Sequence, residues 1–201
     1  IANEFGFLYL DSGALYRGVT LFAIENGYID ENCSIDVPAL TVALEDLDIH
    51  FGKGGTYIGE RCIEDQIRSL EVAGKVSPIA TVAQVREYVD RKLREFGRSK
   101  RVVMDGRDIG TVVFPDAELK VFVTASAEIR AKRRYDELKA KGQEESFDAI
   151  LENVKQRDYL DENRAESPLR KADDAVVLDN SNLTIEEQKK WLLDLFNERA
   201  K

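Results

Sequence analysis

Cysteine, histidine, methionine and tryptophan are almost missing from this chain of 201 residues, which holds two, one, one and one of them. Cys33 and Cys62 form no CxxC pair, no metal-ligand spacing and no disulfide framework, a usage that suits the reducing cytoplasm. His50 stands alone in a strand-like segment, so a histidine-based metal centre is almost excluded. No apolar run approaches about 18 residues, and no leader with a charged, an apolar and a small-residue part opens the chain; neither a membrane span nor a secretory signal is read. Positive charge is in deficit as well, with 29 Lys and Arg against 38 Asp and Glu, a net charge of -9 and a pI near 4.9. Such a surface repels phosphodiester backbones and anionic lipid, so neither nucleic acid nor membrane is an expected partner. Any phosphate must be held by arginines gathered locally.

What is present is 43% hydrophobic residues, enough for one core or one core with a small inserted lobe. The stretch that organises the rest is Val102 to Ala117, VVMDGRDIGTVVFPDA. Its apolar start reads as a buried parallel strand that ends in charge, which places Asp105, Arg107 and Asp108 at the rim of a crevice. Gly106 lets the backbone turn or approach a ligand. Arg107 offers a planar fork for phosphate or carboxylate, and the flanking carboxylates can hold that fork or reach a metal. A surface turn with an incidental ion pair has the same spacing.

Taken in order, Ile1 and Ala2 read as the tail of a helix stopped near Gly6, and Phe7 to Leu10 as a strand. Ser12 is placed to cap a helix from Gly13 to about Glu25 that carries Arg17. A polar connection from Asp30 to Pro38 precedes a short helix with Ala39, Val42, Ala43 and Leu47 on one face. From Asp48 to Ile63 the pattern becomes two alternating runs around Gly52-Lys53-Gly54-Gly55, a hairpin signal. Those glycines lack the GxxxxGK[ST] spacing of a phosphate loop and precede no helix. Helices are predicted at Glu64 to Lys75 and, after Ser77-Pro78, at Thr81 to Phe96, the latter with Arg86, Arg91 and Arg94 as ordinary surface charge.

Leu119 to Thr124 reads as a strand, with Ser126 capping a helix dense in cations. Arg130, Lys132, Arg133 and Arg134 fall in its first half, where the helix dipole disfavours them; a nearby anion or a solvated face explains that equally well. A further helix runs from Ser146 to about Arg164, and Arg157, Asp161 and Arg164 share one of its faces at i, i+4 and i+7. Two forks and a carboxylate make a binding edge, although a solvent-exposed ladder of ion pairs has the same spacing. Asp174 to Leu178 is a strand, and Thr184 to Ala200 an amphipathic helix packing through Trp191, Leu192, Leu195 and Phe196. The order of strands and helices implies a doubly wound parallel sheet with helices on both faces and a small antiparallel β insertion.

Five segments together resemble the bacterial cytidylate kinases, P-loop nucleoside monophosphate kinases: LDSGALYR (Leu10 to Arg17), IRSLEVAGKVSPIATVAQVR (Ile67 to Arg86), DGRDIGTVVFPDA (Asp105 to Ala117), RDYLDENR (Arg157 to Arg164) and VVLDNSNLT (Val176 to Thr184). The resemblance implies a P-loop NTPase fold and a single kinase domain. Its core would be 1–30 and 98–201, with an acceptor-binding insertion at about 31–97 containing the hairpin 48–63, and a short lid at about 130–145. It implies ATP-dependent phosphorylation of CMP or dCMP, with Mg²⁺ carried on the nucleotide phosphates and no metal ligand assigned in the chain. Ser12, Arg17, Ser77, Arg86, Arg107, Arg157 and Asp161 would bind CMP. Ser77, Arg157 and Asp161 would read the cytosine, and Arg17, Arg86 and Arg107 hold the phosphate. Arg130, Arg134 and Arg164 would serve ATP, with Arg107, Asp108, Arg134 and Arg164 at the transferring phosphoryl group. The partners implied are small nucleotides alone, acting on a cytoplasmic monomer.

Resemblance also implies a first strand and a GxxxxGK[ST] loop, neither of which this sequence contains. In the fold's strand order 2-3-1-4-5 that strand is central, so the polypeptide is expected to begin upstream of Ile1 by roughly 20 to 25 residues, the length of a strand, the loop and most of a helix. Two other functions fit the same residues: a kinase preferring UMP or AMP, and a catalytically inactive nucleotide-binding module.

Overall fold

The computed structural model describes residues 1–98, 101–140 and 142–199. The chain divides into two compact units, Ala2–Gly106 and Arg107–Lys201, and the boundary falls inside the DGRD motif.

The first unit begins with α1 (Ala2–Phe5), which ends at Gly6 in the left-handed region, φ 64°. β1 (Leu8–Asp11) leads directly into α2 (Ser12–Glu25). The cap of α2 is Asp11, whose carboxylate accepts the Ala14 amide at 3.2 Å. Ser12, expected in that role, instead donates its hydroxyl to the Asp105 carbonyl at 2.7 Å. The strand's last residue reaches the helix amides one turn on, and the serine is released to tie the helix to a neighbouring strand. That neighbour is β5 (Val102–Asp105), parallel to β1, with Leu8 opposite Val102 and Asp11 opposite Asp105.

Between these strands come α3 (Val37–Ala43) and the antiparallel lobe of β2 (Ile49–Gly52), β3 (Gly55–Ile58) and β4 (Arg61–Cys62). This is the expected hairpin, with a third short strand. A 3₁₀ turn (Gln66–Arg68), α4 (Leu70–Ile79) and α5 (Ala83–Gly97) follow. Ser69 caps α4 by accepting the Val72 amide. The helix begins later than its sequence suggests and runs through Ser77-Pro78 rather than stopping there. Proline removes one ladder donor, but the Ala80 amide still reaches the Val76 carbonyl at 2.9 Å, so the last turn holds.

α2 is the axis of this unit. Leu15, Val19 and Ala23 are fully buried along it, and it packs on the lobe, the 3₁₀ turn, α4 and α5. Glu64 fastens lobe to turn: its carboxylate accepts the Thr56 amide and hydroxyl and pairs with Arg68. Burial works to raise its pKa, yet the Arg68 and Thr56 hydrogen bonds outweigh that and hold it below the usual carboxylate range.

The second unit opens on a π turn (Ile109–Val113), in which the Phe114 amide donates to the Ile109 carbonyl at 2.7 Å. β6 (Val121–Thr124) and β7 (Val176–Asp179) pair in parallel, Val121 opposite Val176. Between them lie α6 (Ala127–Ala140) and α7 (Phe147–Asn163), packed through Ala131, Leu138 and Ile150 with Tyr135 and Phe147 edge to face. Ser146 caps α7. α8 (Ile185–Arg199) opens with a capping box in which the Thr184 amide and Glu187 amide each find the other residue's side chain. The expected end of that helix at Ala200 lies outside the described residues. Parallel strand pairs joined through helices, with one antiparallel insertion, form the α/β class read from the sequence.

The closest approach in the first unit is at Gly18, where a Cβ would overlap Ile49 Cδ1 and lie 3.3 Å from Ile63 Cδ1. Gly18→Ala is therefore expected to destabilise by about 1 to 3 kcal/mol through overpacking, although alanine is the better helix former. Urea unfolding measures it, and an unchanged or higher midpoint would show that this contact does not limit packing.

Candidate active site

The densest cluster of sequence-predicted residues lies in the second unit. Arg107 donates through Nε to Asp161 Oδ2 at 2.9 Å. Asp161 Oδ1 is 3.6 Å from Arg164 Nη1, and Arg164 Nη2 is 3.8 Å from Asp108 Oδ2. Asp108 is 5% exposed and the Arg164 side chain 14%. Two guanidiniums thus alternate with two carboxylates, one pair from the DGRD segment and the other from the end of α7. α7 presents Arg157 and Asp161 a turn apart, and Arg164 is its C-cap. Arg157 is exposed on the helix surface. The π turn explains how Asp108 joins the cluster: its carbonyl accepts the amides of Thr111, Val112 and Val113, folding the chain tightly behind the motif. Turns of this kind recur at functional sites.

In the first unit the carboxyl ends of β1 and β5 bring Asp11 and Asp105 side by side. Tyr9 donates its phenol to Asp105 Oδ1 at 2.7 Å, and burial, helped by that bond and the neighbouring carboxylates, raises its pKa. Ser12 is buried at the start of α2. Arg17 is half-buried one turn along, and its side chain makes no hydrogen bond or ion pair with the described residues. A half-desolvated cation in that state is a ready anion contact. Arg86, expected to be surface charge, is 4% exposed: its guanidinium lies 5.5 Å from the Tyr16 ring centroid and donates to the Ala80 carbonyl at 3.2 Å. The correction has a simple cause, since α5 buries Val85, Val89 and Leu93 on the face that Arg86 flanks. Ser77 is exposed on α4. A cleft of about 430 Å³ also opens between Tyr9, Asp11, Glu64, Arg68 and the hairpin turn, and none of the predicted CMP residues lines it.

The cations of α6 are already matched by partners within their unit. Arg130 pairs both Nη atoms with the Asp158 carboxylate, at 2.8 and 2.5 Å, and donates Nε to the Ala125 carbonyl at 3.0 Å. The bond to Asp158 raises its pKa further. Arg133 reaches Asn180, in the loop after β7. Lys132 and Arg134 pair along the helix with Asp136 and Glu137. Arg134 is the most exposed of the three arginines expected to serve ATP.

The cytidylate kinase family model matches residues 1–198. The chain belongs to the cytidylate kinase family. Its relatives include the cytidylate kinases of Bacteroides fragilis, 56% identical over 100% of this chain and 90% of the relative, and of Porphyromonas gingivalis, 49% identical over 98% and 88%. That of Flavobacterium psychrophilum is 43% identical over 98% of this chain and 89% of its own length. Against that membership, sequence reasoning missed the partner of Arg130, because Asp158 lies 28 positions away and no local pattern links them. The burial of Arg86 had a readable signal in the apolar residues at one and three positions from it.

Arg107 is expected to be indispensable to phosphoryl transfer. Arg107→Met should lower turnover at least tenfold with little loss of stability, since charge-assisted phosphate contacts are worth about 1.5 to 3 kcal/mol and its side chain is largely exposed. Steady-state ADP release on the native polypeptide measures it; unchanged turnover removes Arg107 from the site.

Proposed function

We propose that the chain moves the γ-phosphoryl group of ATP onto CMP or dCMP, giving ADP and CDP or dCDP, with the residue roles set out below. Family membership makes it an ATP-dependent nucleoside monophosphate kinase. The observation that carries the residue assignment is the preassembled Arg107, Asp161, Arg164 and Asp108 cluster.

An oxygen of the CMP phosphate attacks the γ-phosphorus as the bond to the β,γ-bridging oxygen breaks, and ADP leaves. No nucleophilic side chain is required. The chain's task is to align two polyanions and to supply positive charge where the transferring group carries its negative charge. Arg107 and Arg164 have that role, with Asp161 and Asp108 keeping the like-charged forks together in the absence of substrate. Arg130, Arg134 and Arg164 serve the ATP side, with Arg134 also at the transferring group. Ser12, Arg17, Ser77, Arg86, Arg157 and Asp161 bind the acceptor: Ser77, Arg157 and Asp161 at the base, Arg17 and Arg86 with Arg107 at the phosphate. The carboxylates of Asp11 and Asp105 at the strand ends are hard oxygen donors, a chemistry suited to Mg²⁺. Carried in with the nucleotide, that ion would supply positive charge to offset the phosphates.

The division into a core (1–30 and 98–201), an acceptor-binding insertion (about 31–97) and a short lid (about 130–145) belongs to the same proposal, as do a monomeric state and a cytoplasmic site of action without nucleic-acid or membrane partners. Supporting this are the net charge of -9 and the two unpaired thiols. No helix among the described residues is long and apolar enough to cross a membrane.

ADP release measured with CMP, dCMP, UMP and AMP at equal concentration should be fastest with the two cytidine nucleotides. Equal or faster turnover with UMP or AMP overturns the acceptor assignment. In the same panel Asp161→Ala should narrow the CMP preference more than it lowers the unfolding midpoint.

A further inference from the structure

The turn that follows α7 holds Arg164 in an unusual way. The Ser167 carbonyl accepts both Nε, at 2.8 Å, and Nη2, at 2.6 Å, from the Arg164 guanidinium. One edge of the fork is thereby fixed to the backbone, and the Nη1–Nη2 end is turned toward Asp161 and Asp108, at 3.6 and 3.8 Å. The turn is itself anchored, because the Leu169 amide donates at 2.7 Å to the Asp161 carbonyl, one of the acceptors that a helix end leaves unpaired.

This grip depends on a strained backbone. Ser167 has φ 46°, in the left-handed region, and is one of three non-glycine residues with positive φ among those described. It also precedes Pro168, whose ring restricts the residue before it. Serine gains little there, and glycine would adopt the conformation with no steric cost. Conformations of this kind persist where the surroundings over-determine them, and here the observable gain is the position of one guanidinium.

We propose that Ser167 is a positioning residue for phosphoryl transfer. By holding the Nε–Nη2 edge of Arg164 it decides which end of that fork meets the transferring phosphate, so the arginine is aimed before substrate arrives. The proposal rests on the kinase function assigned above and adds a residue that touches neither nucleotide. A guanidinium released from the carbonyl would sample several rotamers and lose part of its preorganisation.

The test compares Ser167→Val, which disfavours the left-handed backbone, with Ser167→Gly, which accepts it. It uses the native polypeptide and verifies each variant by thermal unfolding. S167V should lower kcat about tenfold, the scale of the left-handed penalty, with KM for CMP changed less than about threefold. S167G should stay within about twofold of the parent. In an R164M background S167V should add no further loss, because the two act as one unit. Independently of activity, the ¹⁵N-arginine signal of Arg164 Nε–H, assigned by its loss in R164K, should exchange faster with solvent in S167V and not in S167G. If S167V does not fold, Ser167→Thr, which keeps the hydroxyl but adds the β-branch that the left-handed region disfavours, replaces it. An equal S167V loss in the R164M background overturns the proposal, as does full turnover once Nε–H is released. Absence of CMP-dependent turnover in the parent would instead defeat the kinase function, and the exchange comparison would still report whether Ser167 holds Arg164.

Discussion

Two guanidiniums brought to one site, as Arg107 and Arg164 are, repel each other unless negative charge lies between them. The second unit answers this with the Asp161 carboxylate, which bonds Arg107 directly and lies within 4 Å of Arg164, while Asp108 lies 3.8 Å from Arg164 Nη2. Asp108 is almost wholly buried, and a buried carboxylate is tolerated only beside compensating charge. Sequence, packing and chemistry meet at this point. The Arg107 and Asp108 charges that lead into the π turn are matched by Asp161 and Arg164 at the end of α7. The end of α7 can carry arginine at its C-cap because the following turn and two carboxylates receive it.

The first unit solves a different problem, that of rigidity. α2 is fixed at its start by the Asp11 cap and by the Ser12 bond to the Asp105 carbonyl, and at its middle by the contact of Gly18 with the hairpin lobe. Arg17 lies between these two fixed points. Its backbone has little freedom, so the position of the cation is determined by the helix even though its side chain has no protein partner among the described residues. Arg86 is held differently, by burial against the Tyr16 ring and a backbone carbonyl.

Much of this arrangement could be read from the sequence, and the reason is local. Strand ends marked by Asp11 and Asp105, the GKGG hairpin, the helix start at Ser146 and the spacing of Arg157, Asp161 and Arg164 are all expressed within a few residues of chain. What escaped reading depends on pairing across distance or on competition between adjacent candidates. Arg130 finds Asp158 only when α6 and α7 pack. Asp11 and Ser12 are both good caps, and the choice is made by the carbonyl of Asp105, a residue 93 positions from Ser12. Pro78 looked like a stop because the rule for proline is statistical, whereas the bonds on either side of it decide.

The π turn carries a further implication for how this motif can vary. Its ring closes from Ile109 to Phe114, one residue wider than the ring of an α-helix. Loss of a single residue between those positions would let the chain relax into an ordinary helical turn, a change that looks harmless in an alignment. It would also rotate everything before the turn relative to everything after it. Asp108 and Arg107 would leave their partners at the end of α7 with every side chain of the candidate site still present, so in this region chain length, as much as residue identity, is under physical constraint.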